Sequence, residues 1–215
     1  MFKKIIYNHL NRRINNVYND NFSKNGKTPH GLFWNSYYNQ IKRMEEILDI
    51  LQVFSEKKVI KIADIGCGFG SMYVLIKSNP KYKNFLYEGV DINENFVEEC
   101  NLSFGNEVNF FKGTFSRNLV DYSLMSGTYN YSTTKNINLW EEYIFLSLIE
   151  CLKNSKKGII FNLQVAIPTK ISNNIFYADP IRIKKKFSMF NKFDFNFFKS
   201  LYFKNDMIFF IKKIN

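Results

Sequence analysis

The sequence predicts an α/β fold, a doubly wound and mainly parallel sheet between helices, and two stretches predict it. The first is Val59 to Ile65, an apolar β-branched run that stops at Gly66, Gly68 and Gly70 and gives way to helix-compatible residues from Ser71 to Lys77. This order reads as strand, tight glycine turn, helix. The second is Phe85 to Val90, another strand, which ends in Asp91. Glycines at such a junction permit positive φ and let a ligand approach without meeting a Cβ. An acidic side chain at the end of strand two can accept both hydroxyls of a ribose. Together the two stretches form the nucleoside-binding half of a doubly wound fold.

The glycine spacing separates cofactor classes. A dinucleotide fingerprint is G-x-G-x-x-G, whereas residues 64–70 read Asp-x-Gly-x-Gly-x-Gly. This pattern resembles motif I of the class I S-adenosylmethionine (SAM) dependent methyltransferases, and Gly89-Val90-Asp91-Ile92 resembles their motif II. The resemblance implies a Rossmann-like seven-stranded sheet, mainly parallel, with an antiparallel C-terminal hairpin and N-terminal helices. It implies SAM as cofactor and S-adenosylhomocysteine as product. Asp64, Gly66, Cys67, Gly68 and Gly70 would lie against the amino-acid end of SAM, and Asp91 with Ile92 would hold the ribose.

Taken from the start, Phe2, Ile5, Ile6, Leu10, Ile14 and Val17 recur at three- and four-residue steps, the signature of an amphipathic helix outside the central fold. Such a helix can cap a site, join a dimer or pack onto the body. Asn19 to Gly31 reads as a loop. A second helix is expected from near Asn35, with Tyr38, Ile41, Met44, Ile47, Leu48 and Leu51 on one stripe, and Ser55 to Lys58 turns into strand one. Residues 1–55 thus form an N-terminal helical cap and 56–215 the core, one structural domain overall. The stretch His30-Gly31-Leu32-Phe33-Trp34-Asn35-Ser36, followed by Gln40 and Arg43, is similar to the N-terminal segment of small bacterial methyltransferases encoded with polysaccharide (capsule) biosynthesis genes. Gln40 and Arg43 share a helix face. Either Arg43 pairs with the SAM carboxylate, a charge-assisted contact, or that face is simply exposed.

Asn93 to Cys100 reads as a helix capped by Asn93, and Val108 to Phe111 as strand three. The family often carries Gly-Asp next, its Asp on the adenine amino group; here Gly113 is followed by Thr114 and Phe115. The Thr114 hydroxyl can still hydrogen-bond adenine. Strand four, Tyr122 to Gly127, continues into Thr128-Tyr129-Asn130-Tyr131 and resembles the Ser-Gly-x-x-Asn segment of the polysaccharide-linked group, placing Ser126 and Gly127 at the cofactor. In open α/β sheets the ligand crevice lies beyond the carboxyl ends of the strands. An Asn/Asp-Pro-Pro-aromatic motif for base amino groups is absent here, as is a nucleophilic Cys, and both absences favour an oxygen acceptor. A helix follows from Asn138 to Leu152, then strand five, Gly158 to Leu163, then a polar loop, Gln164 to Ser172, able to line an acceptor pocket. Asp179 opens a basic helix, and Phe193 to Phe203 and Met207 to Ile211 form the closing hairpin.

The 215 residues suffice for one domain, and 46% hydrophobic with 23% charged residues is the balance of a soluble globular chain. No apolar run approaches the roughly 18 residues of a membrane span. Cys67, Cys100 and Cys151 suit a reducing cytoplasm and give no metal pattern. The net charge of +11 is compatible with nucleic acid, but the lysines are scattered and only Arg182 to Lys186 is dense, so a small anionic or nucleotide-linked saccharide acceptor ranks above RNA. Transfer of the sulfonium methyl to a hydroxyl benefits from a general base, and His is the usual choice. His30 is the first candidate, unless it is a surface loop residue; Tyr129, Asn130 and Asp179 are alternatives for acceptor binding or proton handling. Two other classes stay open: an RNA methyltransferase and a non-catalytic SAM-binding protein.

Overall fold

A computed structural model describes residues 2–55, 58–188 and 190–214. Two helices lead, α1 (Phe2–Asn25) and α2 (Tyr37–Phe54). Then β1 (Ile60–Ile65), α3 (Ser71–Ser78), β2 (Phe85–Asp91), α4 (Glu94–Phe104), β3 (Asn109–Lys112) and β4 (Val120–Met125) alternate as expected. After α5 (Ile137–Lys153) and β5 (Ser155–Val165) come two short strands, β6 (Lys170–Ser172) and β7 (Ile175–Ala178). The chain ends with α6 (Pro180–Ser188), β8 (Phe193–Lys199) and β9 (Asp206–Lys213).

One sheet contains all nine strands. Its body runs β3-β2-β1-β4-β5-β9-β8, with the first five parallel and β9 antiparallel to both β5 and β8. These are the seven strands expected, C-terminal hairpin included. Side chains alternate between two layers, as period-2 geometry requires. Ala63, Ile65, Phe161, Leu163, Phe209 and Ile211 face α5 and α6. Ile60, Ile62, Ile160, Ile208 and Phe210 face α2 and α3. Burial of each Ile, Leu or Phe among them contributes about 1.5–3 kcal/mol. No helix among the described residues is long and apolar enough to cross a membrane.

Three local expectations are corrected. Asn19 to Asn25 is helix rather than loop. Phe22 packs on Phe69 and Phe96, with ring centroids 5.3 and 5.5 Å apart, and the Asn19 side chain accepts from Asn93 and Asn95; tertiary contacts override the weak helix propensity of Asn. Part of the polar loop Gln164 to Ser172 is strand. β6 and β7 form a hairpin through Asn173-Asn174, both at positive φ (50° and 60°), the pattern of a type I′ turn. Because Gln164 pairs with β9 and β7 together, β7 must take the edge of β5 beyond the end of β4. Strand four stops at Met125, and Gly127 turns at φ 74°. Of the expected turn Ser55 to Lys58, Glu56 and Lys57 lie outside the described residues, as do the side chains of Phe2 and Ile5 on the α1 stripe.

Candidate functional site

At the carboxyl ends of β1 and β2 the backbone builds an acidic receptor. The N–H groups of Gly66 and Cys67 donate to the Val90 carbonyl at 2.7 and 3.1 Å, which ties the glycine turn to the end of β2. The Asp91 carboxylate then accepts from the Gly68 N–H (2.9 Å) and the Asn93 N–H (2.8 Å). Asp91 is 94% buried in the sense that only 6% of its surface is exposed. Burial raises its pKa to about 6, with the Asn93 and Gly68 N–H groups pulling the other way. Gly68 sits at φ 54°, and a Cβ there would come within 2.6 Å of Leu32. The turn is therefore glycine both for its conformation and for the close approach of the N-terminal segment.

This receptor opens into a cavity of about 340 Å³, within the range of small-molecule sites. Gly66, Cys67, Gly68, Asp91, Ile92 and Phe96 form one part of its wall, with Ile14 and Tyr18 of α1 over them. Burial and the charge of Asp91 both push the Tyr18 phenol up, so it stays a neutral hydroxyl. Gln40, Arg43, Ser126, Gly127 and Thr128 line the next part, and Trp34, Asn39, Asn130, Tyr131, Gln164 and Tyr177 the far part. Ten of the residues singled out in the sequence thus meet here: Gln40, Arg43, Gly66, Cys67, Gly68, Asp91, Ile92, Ser126, Gly127 and Asn130.

The others stand elsewhere. His30 is exposed on a 3₁₀ turn (His30–Leu32) outside the wall, where its carbonyl accepts from Asn21. Tyr129 is core. Its carbonyl accepts from the Trp140 indole at 3.1 Å, and burial raises its phenol well above the usual range. Asp179 caps α6, accepting from the Ile181 N–H at 2.9 Å. The Thr114 carbonyl accepts from the Cys151 thiol and its hydroxyl meets Tyr7, so this segment turns toward α5 and α1, while Phe115 is exposed. Asp64 lies behind the turn and accepts from the Tyr87 hydroxyl at 2.9 Å; burial raises its pKa to about 7. Gly70 is also behind it, where a Cβ would meet Phe104 and Phe110.

Arg43 does not have a free guanidinium. Its Nε pairs with Asp206 at the start of β9, its Nη1 donates to the Asn39 carbonyl, and the group lies 4.0 Å from the Phe203 ring and 5.4 Å from Trp34. Asp206 was not legible in advance, because a lone acid after Lys204-Asn205 reads as a turn residue. Tyr18, Trp34 and Tyr177 were also missed as wall residues. For Tyr177 a signal existed: the Asn173-Asn174 turn between Ile171 and Phe176 marks a hairpin that brings it to the cavity.

By sequence the chain matches no family model and no curated protein. Solved structures share its fold. A SAM-dependent methyltransferase from Leishmania major has a TM-score of 0.63 at 14% identity, over 97% of this chain and 83% of that one. The small RNA methyltransferase HEN1 has 0.57 at 13%, over 81% of this chain and 25% of that one. SAM-bound CalS10, an amino pentose methyltransferase of calicheamicin biosynthesis from Micromonospora echinaspora, has 0.56 at 7%, over 80% and 90%. The chain has the mixed α/β, Rossmann-like methyltransferase fold.

Proposed function

We propose that this protein is a SAM-dependent methyltransferase acting on an oxygen of a small-molecule or saccharide acceptor. The observation that carries the reading is Asp91, a buried carboxylate held by two main-chain N–H groups at the end of β2 beside the turn of Gly66 and Gly68. The wall fits a nucleoside with a polar tail. Asp91 would accept the ribose hydroxyls, Ile92 and Phe96 would cover the base, and Arg43 and Gln40 would face the amino-acid end. The Ser126 hydroxyl supports this fit: it is buried in the wall and has no hydrogen-bond partner, a state that costs about 1–3 kcal/mol unless a ligand relieves it. When bound, SAM supplies a methyl group on a sulfonium, which needs no further activation.

The residues of this chain then have to align and enclose. Trp34 and Tyr131, the latter stacked on Phe33 at 4.4 Å, give the cavity an aromatic wall. Gln164 and Tyr177 present an amide and a phenol that suit the hydroxyls of a sugar, beside Asn130, whose Oδ1 accepts from the Gln164 N–H at 3.0 Å. Among the described wall residues there is no imidazole, and the one carboxylate, Asp91, is already engaged. Alignment, worth several kcal/mol, would therefore carry the rate. An acceptor already ionised, with a phosphate or phosphoramidate oxyanion, fits such a site. The resemblance of His30 to Ser36 and of Ser126 to Asn130 to the polysaccharide-linked group supports nucleotide-linked saccharides of surface polysaccharide synthesis as the acceptor class. RNA is the second reading, favoured by the net charge of +11 and by the likeness to HEN1.

The test is methyl transfer from labelled SAM to a panel of nucleotide-linked sugars and sugar phosphates, with RNA in parallel at low and high salt. Label on a sugar oxygen supports the reading. Label on RNA, with binding that weakens steeply as salt rises, would replace it.

A further inference from the structure

We infer that Asp206 and Asn162 are positioning residues that build a carboxylate seat at the tail end of the cavity; the inference rests on the cofactor reading above. Four elements meet there in a closed ring of contacts. The Asn162 side chain, on β5, donates to Asp206 Oδ1 at 2.9 Å, and its Oδ1 accepts from the Gly127 N–H at 2.6 Å. Asp206 Oδ2 pairs with Arg43 Nε. Arg43 lies over Trp34, and the Trp34 ring lies on Gly127, where a Cβ would come within 2.6 Å of it. Asn162 and Asp206 are almost wholly buried, at 1% and 3% exposure.

The ring has two consequences. It holds the guanidinium by its Nε edge, and Nη2 makes no hydrogen bond to the described residues. Arg43 and Ser126, whose hydroxyl has no hydrogen-bond partner, both belong to the cavity wall. With Nε on Asp206 and Nη1 on the Asn39 carbonyl, the remaining Nη2 donor and a hydroxyl in the same wall suit a carboxylate. The ring also fixes the Gly127 turn, and with it the Ser126 backbone, through the Asn162 amide. Asp206 balances the Arg43 charge in this buried place: burial raises its pKa and Arg43 lowers it. Neither Asp206 nor Asn162 need touch the ligand.

The experiment compares two ligands that differ in the tail alone, S-adenosylhomocysteine and 5′-methylthioadenosine, which lacks the amino-acid group. Both are titrated calorimetrically into wild type, Arg43→Lys and Asn162→Leu. The expected result is tighter binding of S-adenosylhomocysteine by wild type. Both variants should lose about tenfold for that ligand, about 1.4 kcal/mol, and bind 5′-methylthioadenosine within about twofold of wild type. If Asn162→Leu does not fold, Asn162→Ser replaces it, since the shorter side chain cannot span Asp206 and Gly127. Equal loss for both ligands, or no loss, overturns the seat, as does equal binding of the two ligands by wild type. Wild type binding neither ligand overturns the cofactor reading itself.

Discussion

The two ends of the cavity are made of different material. Around Asp91 the polar partners are main-chain N–H groups of Gly68 and Asn93, fixed by the glycine turn and by the start of α4. Around Asn130, Gln164 and Tyr177 the polar groups belong to side chains, carried by the loop after β4, by the end of β5 and by the β6–β7 hairpin. The hairpin is itself tied to that loop: the Phe176 N–H donates to the Asn130 carbonyl at 2.8 Å, and the Ser132 N–H to the Asn174 carbonyl at 2.7 Å. A backbone-built end demands particular residues at particular spacings. A side-chain-built end is assembled from distant segments and tolerates exchange, which suits an end that selects among acceptors.

The largest expected effect breaks the backbone-built end. Asp91→Ala removes the acceptor for both N–H groups and for the proposed ribose hydroxyls. Hydrogen bonds to a charged group contribute about 1.5–3 kcal/mol each, so calorimetry should show SAM affinity falling at least about 100-fold. Next comes Gly127→Ala, at the junction of the two ends. The positive φ and the Trp34 ring oppose a Cβ, and the strain of about 1–2 kcal/mol should lower the melting temperature by about 3–6 °C, read by calorimetric scanning. At the acceptor end, Tyr177→Phe removes one hydroxyl. The acceptor KM should rise about fivefold, in line with about 1 kcal/mol for one hydrogen bond, while SAM affinity stays within about twofold.

The same contrast explains what the sequence revealed. The parallel sheet, the glycine turn and Asp91 were legible because β-branched runs, glycines and one acid occupy adjacent positions whose geometry dictates them. His30 and Tyr129 stand outside the cavity wall for the opposite reason. Their residue types suit chemistry, but nothing local says which way a side chain faces, and packing puts one in solvent and the other against Trp140 and Cys151. Arg43 lines the cavity, yet its partner Asp206 lies 163 positions away, a distance that no motif spans. Thr114 stands where the resembled family often has Asp, but it turns away from the cavity, because its neighbours on α1 and α5 hold it.

A smaller effect isolates Asp64, behind the turn. Burial raises its folded pKa to about 7, above the ordinary carboxylate value. Its contribution to stability is therefore complete below that ordinary value and is lost as pH rises through about 7. Asp64→Asn should keep the acceptor for the Tyr87 hydroxyl and remove the titration. Its free energy of unfolding should exceed that of wild type at pH 8 by an amount on the order of 1 kcal/mol, read as a higher melting temperature, and the gap should narrow at pH 5.

The central claim is that an ionised Asp91 receives the ribose of SAM, and its most direct test is the pH dependence of SAM binding by wild type. Because the Asp91 pKa stands at about 6, affinity should be level above pH 7 and fall about tenfold by pH 5, as protonation removes an acceptor oxygen. A level profile down to pH 5, or no binding at any pH, would contradict it.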